Sequence, residues 1–300
     1  MTYRPLERNP NPMKRLDIIT PSFAPDFELC ADLHRSVLAC TPDSVRQQII
    51  VPQRDLALFA QLAGPRVQVH PVAEFLPRSL VAVPGVNGWV NLRRPFPPLR
   101  GWITQQIVKL AAAARSDADV VLLVDSDIEF VRPFDADVFC ADDVVRFYRK
   151  PHEIDQRLPR HVRWHEVSRQ LLGLPPLTQL PLPDYICWPA PWDPRLVREL
   201  LNRVEEVTGR PWPTAIGSQL HFSEEILYGV YLDEVVGGAA VSYATDDMLC
   251  HDYSAEEPLD ATGIRAFLDG IGPADIAVMI SAKSRTPMDV RRAAMAELAG

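Results

Sequence analysis

Residues 120–127 read Val-Val-Leu-Leu-Val-Asp-Ser-Asp, an apolar run that ends in two acids, Asp125 and Asp127. Carboxylates two positions apart at a strand end are able to converge on one cation. A hard divalent ion such as Mg²⁺ or Mn²⁺ suits such oxygens and carries phosphate oxygens and waters as its remaining ligands. A metal held there would act as a Lewis acid on a bound phosphate. Lys109, upstream on a helical pattern, would add a positive contact to that charge. Elsewhere, Glu224 and Glu225 follow Ser223 at a helix start, where acids also serve simply as capping groups in the first turn. The bland alternative for Asp125-Ser126-Asp127 is a solvated turn closing a strand.

The elements that must position these groups can be read from periodicity. The run before Asp125 fits a strand buried on both faces, as in parallel α/β sheets, whose ligands bind at the carboxyl ends of the strands. Residues 15–20 read as a first strand broken by Pro21 and Pro25, with a helix over 27–40 capped by Asp26. A strand at 47–51, a short helix at 55–62 and a strand at 67–70 follow. Alternation of this kind predicts a parallel sheet with right-handed crossovers. Residues 77–100, rich in Pro, Gly, Asn and Arg, read as a long loop. Gly101–Ala114 is a helix feeding the strand at 119–124. Further strands are expected at 128–131, 144–148, 185–188, 239–244 and 276–280, and helices at 161–172, 194–207, 223–236 and 286–299. Residues 1–13 read as a loose tail.

Bulk composition narrows the classes. The chain has 300 residues, 47% apolar and 23% charged, which provides for a sizeable core. A net charge of −8 without a basic stripe argues against nucleic-acid binding. Its five cysteines are scattered, with no Cys-x-x-Cys pair, so neither zinc nor a disulfide framework is indicated. No apolar leader and no run of 18 apolar residues appears, so a cytoplasmic protein without a membrane span is expected. Oligomeric state is not readable. Neither Gly-x-Gly-x-x-Gly nor Gly-x-x-x-x-Gly-Lys-Ser/Thr occurs, which removes support for Rossmann and P-loop readings.

The segment from Val120 through Asp127 and on to Arg132-Pro133-Phe134-Asp135 resembles the Asp-x-Asp region of GT-A-fold glycosyltransferases. The helix with Gln105, Gln106 and Lys109 is similar to the Lys-bearing helix that precedes that motif in galactosyl- and glucosyltransferase-like members. Gly101-Trp102, Gln105-Gln106, Asp125-Ser126-Asp127 and Ser223-Glu224…Tyr228-Gly229 resemble a DUF6492-like group, itself only proposed to contain glycosyltransferases. The resemblance implies a GT-A-like α/β fold, a mixed and mainly parallel sheet flanked by helices. It implies one domain over 14–300, with a nucleotide-sugar half at 14–135 and an acceptor half at 136–300. It further implies a UDP- or GDP-sugar donor bound by Thr20, Pro21, Ser22, Phe23, Gln105, Lys109, Asp125 and Ser126. Asp125, Asp127 and a late histidine, His251, would hold Mn²⁺ or Mg²⁺. Glu225 or Glu224 would deprotonate the hydroxyl of a small-molecule or glycan acceptor. The His-x-x-Gly…Lys-Pro-Trp pattern that accompanies the late histidine is missing. Asp246-Asp247 is a rival acidic pair, and Trp188 and Trp192 are candidates to line a sugar groove.

Two other classes fit part of the pattern. A haloacid-dehalogenase-like phosphatase or phosphotransferase also places Asp-x-Asp after an apolar strand, with the first acid (here Asp125) as nucleophile. Against it, Glu129 stands where that motif has Thr or Val, and about 120 residues precede the strand rather than few. The other class is a non-catalytic sugar- or metal-binding module.

Overall fold

The computed structural model describes residues 14–83, 88–91, 94–142, 144–237 and 241–299. The tail expected at 1–13 lies outside them.

The fold is mixed α/β. At its centre is a five-stranded sheet in the order Ala190–Trp192, Val120–Leu123, Leu16–Pro21, Arg46–Val51, Val67–Pro71. The last four strands are parallel, and only Ala190–Trp192 runs antiparallel. Every residue of Leu16–Pro21 and Val120–Leu123 is buried, as strands covered on both faces require. Ile19 stands level with Leu123. Both strands therefore deliver their exits, Ser22 and Asp125, to the same edge.

Helices cover the faces. Phe27–Cys40 and Gly101–Arg115 start close to the expected positions. Asp26 makes no side-chain cap bond, contrary to its expected role. Pro194–Thr208 starts at a true cap: Asp193 Oδ1 accepts from the Arg195 N–H at 2.8 Å, and Pro194 occupies the first turn, where no N–H is needed. It ends at Gly209, whose φ of 63° suits a left-handed stop.

The chain leaves the central sheet at Asp125. Ile128–Phe130 pairs instead in a second sheet, antiparallel to Ala277–Ile280, which runs parallel to Cys250–Tyr253. The Asp125–Asp127 turn thus bridges two sheets. The largest apolar cluster draws residues from Ile19 to Leu232, so the two halves expected to meet at 135 share one core.

Several elements differ from expectation. The loop expected at 77–100 contains antiparallel strands Leu80–Ala82, Gly88–Asn91 and Arg94–Arg100, because backbone pairing here overrides poor strand composition. The strand expected at 185–188 is irregular, and pairing occurs on either side of it, at Leu182–Asp184 and Ala190–Trp192. The helix expected over 223–236 is α-helical at Glu224–Val230 and a π-helix at Tyr231–Val236. Helices Trp212–Gly217 and Ala261–Leu268 were not anticipated. The start of the strand expected at 239–244 lies partly outside the described residues, and pairing covers Ser242–Thr245.

Candidate active site

Three elements converge at the carboxyl edge of the central sheet. The turn after Val120–Leu123 supplies Asp125, Ser126 and Asp127. Gly101–Arg115 supplies Gln106 and Lys109, three residues apart and hence on one helical face. Glu224–Val230 supplies Glu224 and Glu225 at its first turn, with Ser223 as the cap, its Oγ accepting from the Ile226 N–H at 3.3 Å.

Lys109 is the centre of this cluster. Its side chain is 8% exposed, and Nζ lies 3.0 Å from Asp125 Oδ1 and 3.2 Å from Glu224 Oε1. Burial works against the ammonium charge, but Asp125, Glu224 and Glu225 outweigh it and hold Lys109 firmly protonated. Gln106 Oε1 accepts from the Glu224 N–H at 2.9 Å, so the lysine helix also fixes the start of the glutamate helix. Glu225 turns the other way, and its Oε2 accepts from the Cys187 N–H at 2.9 Å. Burial, then the neighbouring Glu224, push the Glu225 carboxyl well above the usual range; Lys109 and the Cys187 N–H oppose this without cancelling it. The two glutamates, indistinguishable in sequence, thus occupy different environments.

The acids of the turn also part company. Asp127 Oδ2 accepts from the Ala282 N–H at 2.8 Å. Its carboxyl is raised by burial and by Asp125, against the Ala282 N–H and the more distant Arg291. Ser126 Oγ donates to Ser22 Oγ at 2.8 Å, joining the turn to the exit of the first strand. Asp26, which follows that exit, faces the same acids. Burial first, then Asp127 and Asp125, push it up to about 6.

The remaining candidates are dispersed. The Thr20 hydroxyl lies inside the sheet, within 3.5 Å of Gln47 Nε2. Pro21 closes its strand, Phe23 is half-buried, and Gln105 is half-buried beside Gln106. His251 lies within Cys250–Tyr253, its Nε2 2.8 Å from the Phe267 carbonyl oxygen and its ring stacked on Phe267. That carbonyl only accepts, so Nε2 carries a proton and donates it. Asp247 anchors a turn through the Leu249 N–H. Trp192 is a core residue, 3% exposed and stacked on Tyr228 at 4.7 Å, which removes it from any groove.

Among the described residues, no three His, Cys, Asp or Glu side chains gather closely enough to enclose a metal ion. The donor set still fits a cation shared with phosphate oxygens and water. Asp125 Oδ1 is buried and accepts no well-aligned hydrogen bond, although it pairs with the Lys109 charge. A cavity of about 910 Å³ opens elsewhere, between Phe147, Arg149, Tyr185, Asp233 and Tyr243. Asp233 Oδ2 there accepts from Arg149 Nε at 2.6 Å and from the Tyr185 hydroxyl at 2.7 Å.

Residues 13–269 match the DUF6492 family, a family of unknown function. The chain belongs to DUF6492. No curated protein matches this DUF6492 chain in sequence. Among solved structures, it is similar to galactosyltransferase LgtC in complex with donor and acceptor sugar analogues, at 13% identity and a TM-score of 0.44 over 95% of each chain. It is also similar to an active-site mutant of LgtC, at 15% identity and a TM-score of 0.41, again over 95% of each chain.

Sequence reasoning names Gln106 and Asp26 without giving either a role at the site, and it misses Ala282 and Arg291. Gln106 was findable, lying on the Lys109 face of its helix. Asp26 reads in sequence as a helix cap, a role that hides its place beside the acids. The Ala282 N–H and Arg291 have no signal near Asp127 in the chain, because the contact spans 155 positions.

Proposed function

We propose that this chain is a metal-dependent glycosyltransferase, moving a sugar from a nucleoside-diphosphate sugar to an acceptor hydroxyl. The observation that carries the reading is the Asp125–Ser126–Asp127 turn. It stands at the carboxyl edge of a parallel sheet, bonded through Ser126 to Ser22 and backed by buried Lys109. The resemblance of this segment to Asp-x-Asp transferases supports the same conclusion.

Asp125 and Asp127 would hold Mn²⁺ or Mg²⁺. When bound, the ion supplies Lewis-acid neutralisation of a departing diphosphate. The chain's own residues do the rest. Lys109 orients Asp125 and keeps it from turning into solvent. Ser22 and Ser126 present hydroxyls where the ribose and diphosphate would lie. Glu225 is the group suited to proton exchange with the acceptor: it is not tied to Lys109 as Glu224 is, and burial together with Glu224 raises its carboxyl well above the ordinary glutamate range. Glu224, tied to Lys109, serves to position the ammonium. The acceptor would approach from the side of residues 136–300, which carries Glu224 and Glu225.

A thermal-shift screen of UDP, GDP and their sugars, with and without Mn²⁺, tests the reading. A ligand that binds only the native state raises apparent stability, by about 2.7 kcal/mol at a hundredfold excess over Kd. One nucleotide should stabilise the chain in the presence of Mn²⁺, should fail to do so with Asp127→Ala, and its sugar should be slowly hydrolysed. No response to any nucleotide, or cleavage of p-nitrophenyl phosphate with an aspartyl-phosphate at Asp125, would overturn it.

A further inference from the structure

Arg291 is almost fully buried, 3% exposed, on the helix Met288–Ala299. Among the described residues it forms no ion pair within 4.0 Å; its guanidinium is spent on oxygen atoms of one loop. Nη1 donates to the Ile280 carbonyl at 2.8 Å, Nη2 to the Ser281 carbonyl at 3.0 Å and Nε to the Thr286 carbonyl at 3.2 Å. Nη2 also lies 3.4 Å from Ser284 Oγ. These bonds bracket Ala282, whose N–H is the donor to Asp127 Oδ2. The Ile280 N–H meanwhile donates to the Asp127 carbonyl at 3.3 Å. Both ends of Asp127 are thus held by a segment that Arg291 clamps.

A buried guanidinium is expensive to desolvate, and a planar fork satisfying several carbonyls is a use that only arginine serves. Pure packing would be served more cheaply by an apolar residue. The neighbouring Arg292 shows the contrast: it pairs outward with Asp32, Nε to Oδ2 at 2.9 Å, and so docks the helix against Phe27–Cys40. Docking is therefore already provided, and Arg291 is free for the loop.

The geometry points to Arg291 as a positioning residue for the cation corner: it locks the 280–286 loop so that the Ala282 N–H fixes the Asp127 carboxylate. This rests on the metal-binding reading above, and extends it to a segment outside the stretch matched by the family. The same logic explains why groups behind metal ligands matter to affinity: they set the orientation the ligand would otherwise lose entropy to adopt.

The test measures Mn²⁺ binding to the full chain, by calorimetry and by the Mn²⁺ electron-paramagnetic-resonance signal, without donor turnover. Wild type should bind Mn²⁺ and Asp127→Ala should not; failure here sinks the metal reading itself and this inference with it. With that established, Ala282→Pro removes the N–H donor and sets a ring carbon against Asp127 Oδ2 in its place. Ser281 has φ −49° and ψ 131°, a conformation compatible with a following proline, so the fold should persist. Ala282→Pro and Arg291→Met should each weaken Mn²⁺ affinity by about 10–100-fold, with Arg291→Lys in between. The doubly substituted chain should lose little more than either alone, because both act on one path. If Arg291→Met fails to fold, Arg291→Lys replaces it in the cycle. Unchanged affinity in folded single variants, or strictly additive losses in the double, would overturn the inference while leaving the metal reading intact.

Discussion

Lys109 and Asp125 pair at 3.0 Å at the carboxyl edge of the sheet, and the same ammonium reaches Glu224 at 3.2 Å. One buried cation therefore ties the acid turn to the helix that carries both glutamates. With Glu225 nearby, three carboxyl groups share a single positive charge.

Removing the cation should be costly. Lys109→Met leaves the buried Glu224 without its ionic partner and takes the same charge from half-buried Asp125; breaking a buried pair from one side costs about 3–5 kcal/mol. Urea unfolding at neutral pH measures this. A loss below about 1 kcal/mol, the range of exposed pairs, would show that the cluster is solvated.

Glu225 and Glu224 should separate in kinetics. Glu225→Gln keeps the shape and the acceptor oxygen for the Cys187 N–H but cannot take up a proton. Turnover should fall by about 10²–10⁴-fold, the usual range for a general base, with donor affinity little changed. Titrating the donor and measuring initial rates distinguishes the two. An unchanged rate removes Glu225 from the chemistry.

Asp26 should make stability depend on pH. Its folded carboxyl titrates at about 6 rather than the ordinary 3.8. Between these values the folded chain holds a proton that the unfolded chain has released. Its contribution is therefore complete below about 3.8 and lost as pH rises through about 6. Asp26→Asn should flatten the melting temperature over that window and raise it at pH 7. An identical pH profile in the variant would show that Asp26 is not held among the acids.

Gly229 should not tolerate a side chain. A Cβ there would stand 2.1 Å from the Tyr185 ring, on the helix that starts with Glu224. Alanine gains about 1 kcal/mol of helix propensity over glycine, but the clash forces a rigid aromatic aside in a filled core, an overpacking cost of about 1–3 kcal/mol. Since Tyr185 is tied to Asp233, the net effect of Gly229→Ala should be destabilising in thermal unfolding. A chain as stable as wild type would mean that the ring shifts freely.

Much of the scaffold was legible in the residues alone. The strands at Leu16–Pro21 and Val120–Leu123, and the helices at Phe27–Cys40, Gly101–Arg115 and Pro194–Thr208, follow from apolar runs, helical spacing, and start and stop residues that lie within a few positions of one another. The position of Asp125 and Asp127 at a strand end follows from the same local signals. The paired strands within 80–100 were not legible, because pairing depends on a partner rather than on composition.

What the tertiary structure alone decided is which groups meet. No local pattern says that Lys109 faces Asp125 and Glu224, that Glu225 instead accepts from Cys187, or that Asp127 is held by Ala282. These contacts span 16 to 155 positions in the chain. Residues so far apart meet only through the packing of whole elements, whereas caps and periodicity act within a turn or two. The residue types at the candidate site were therefore visible in the chain, and their division of labour was set by the way the elements pack.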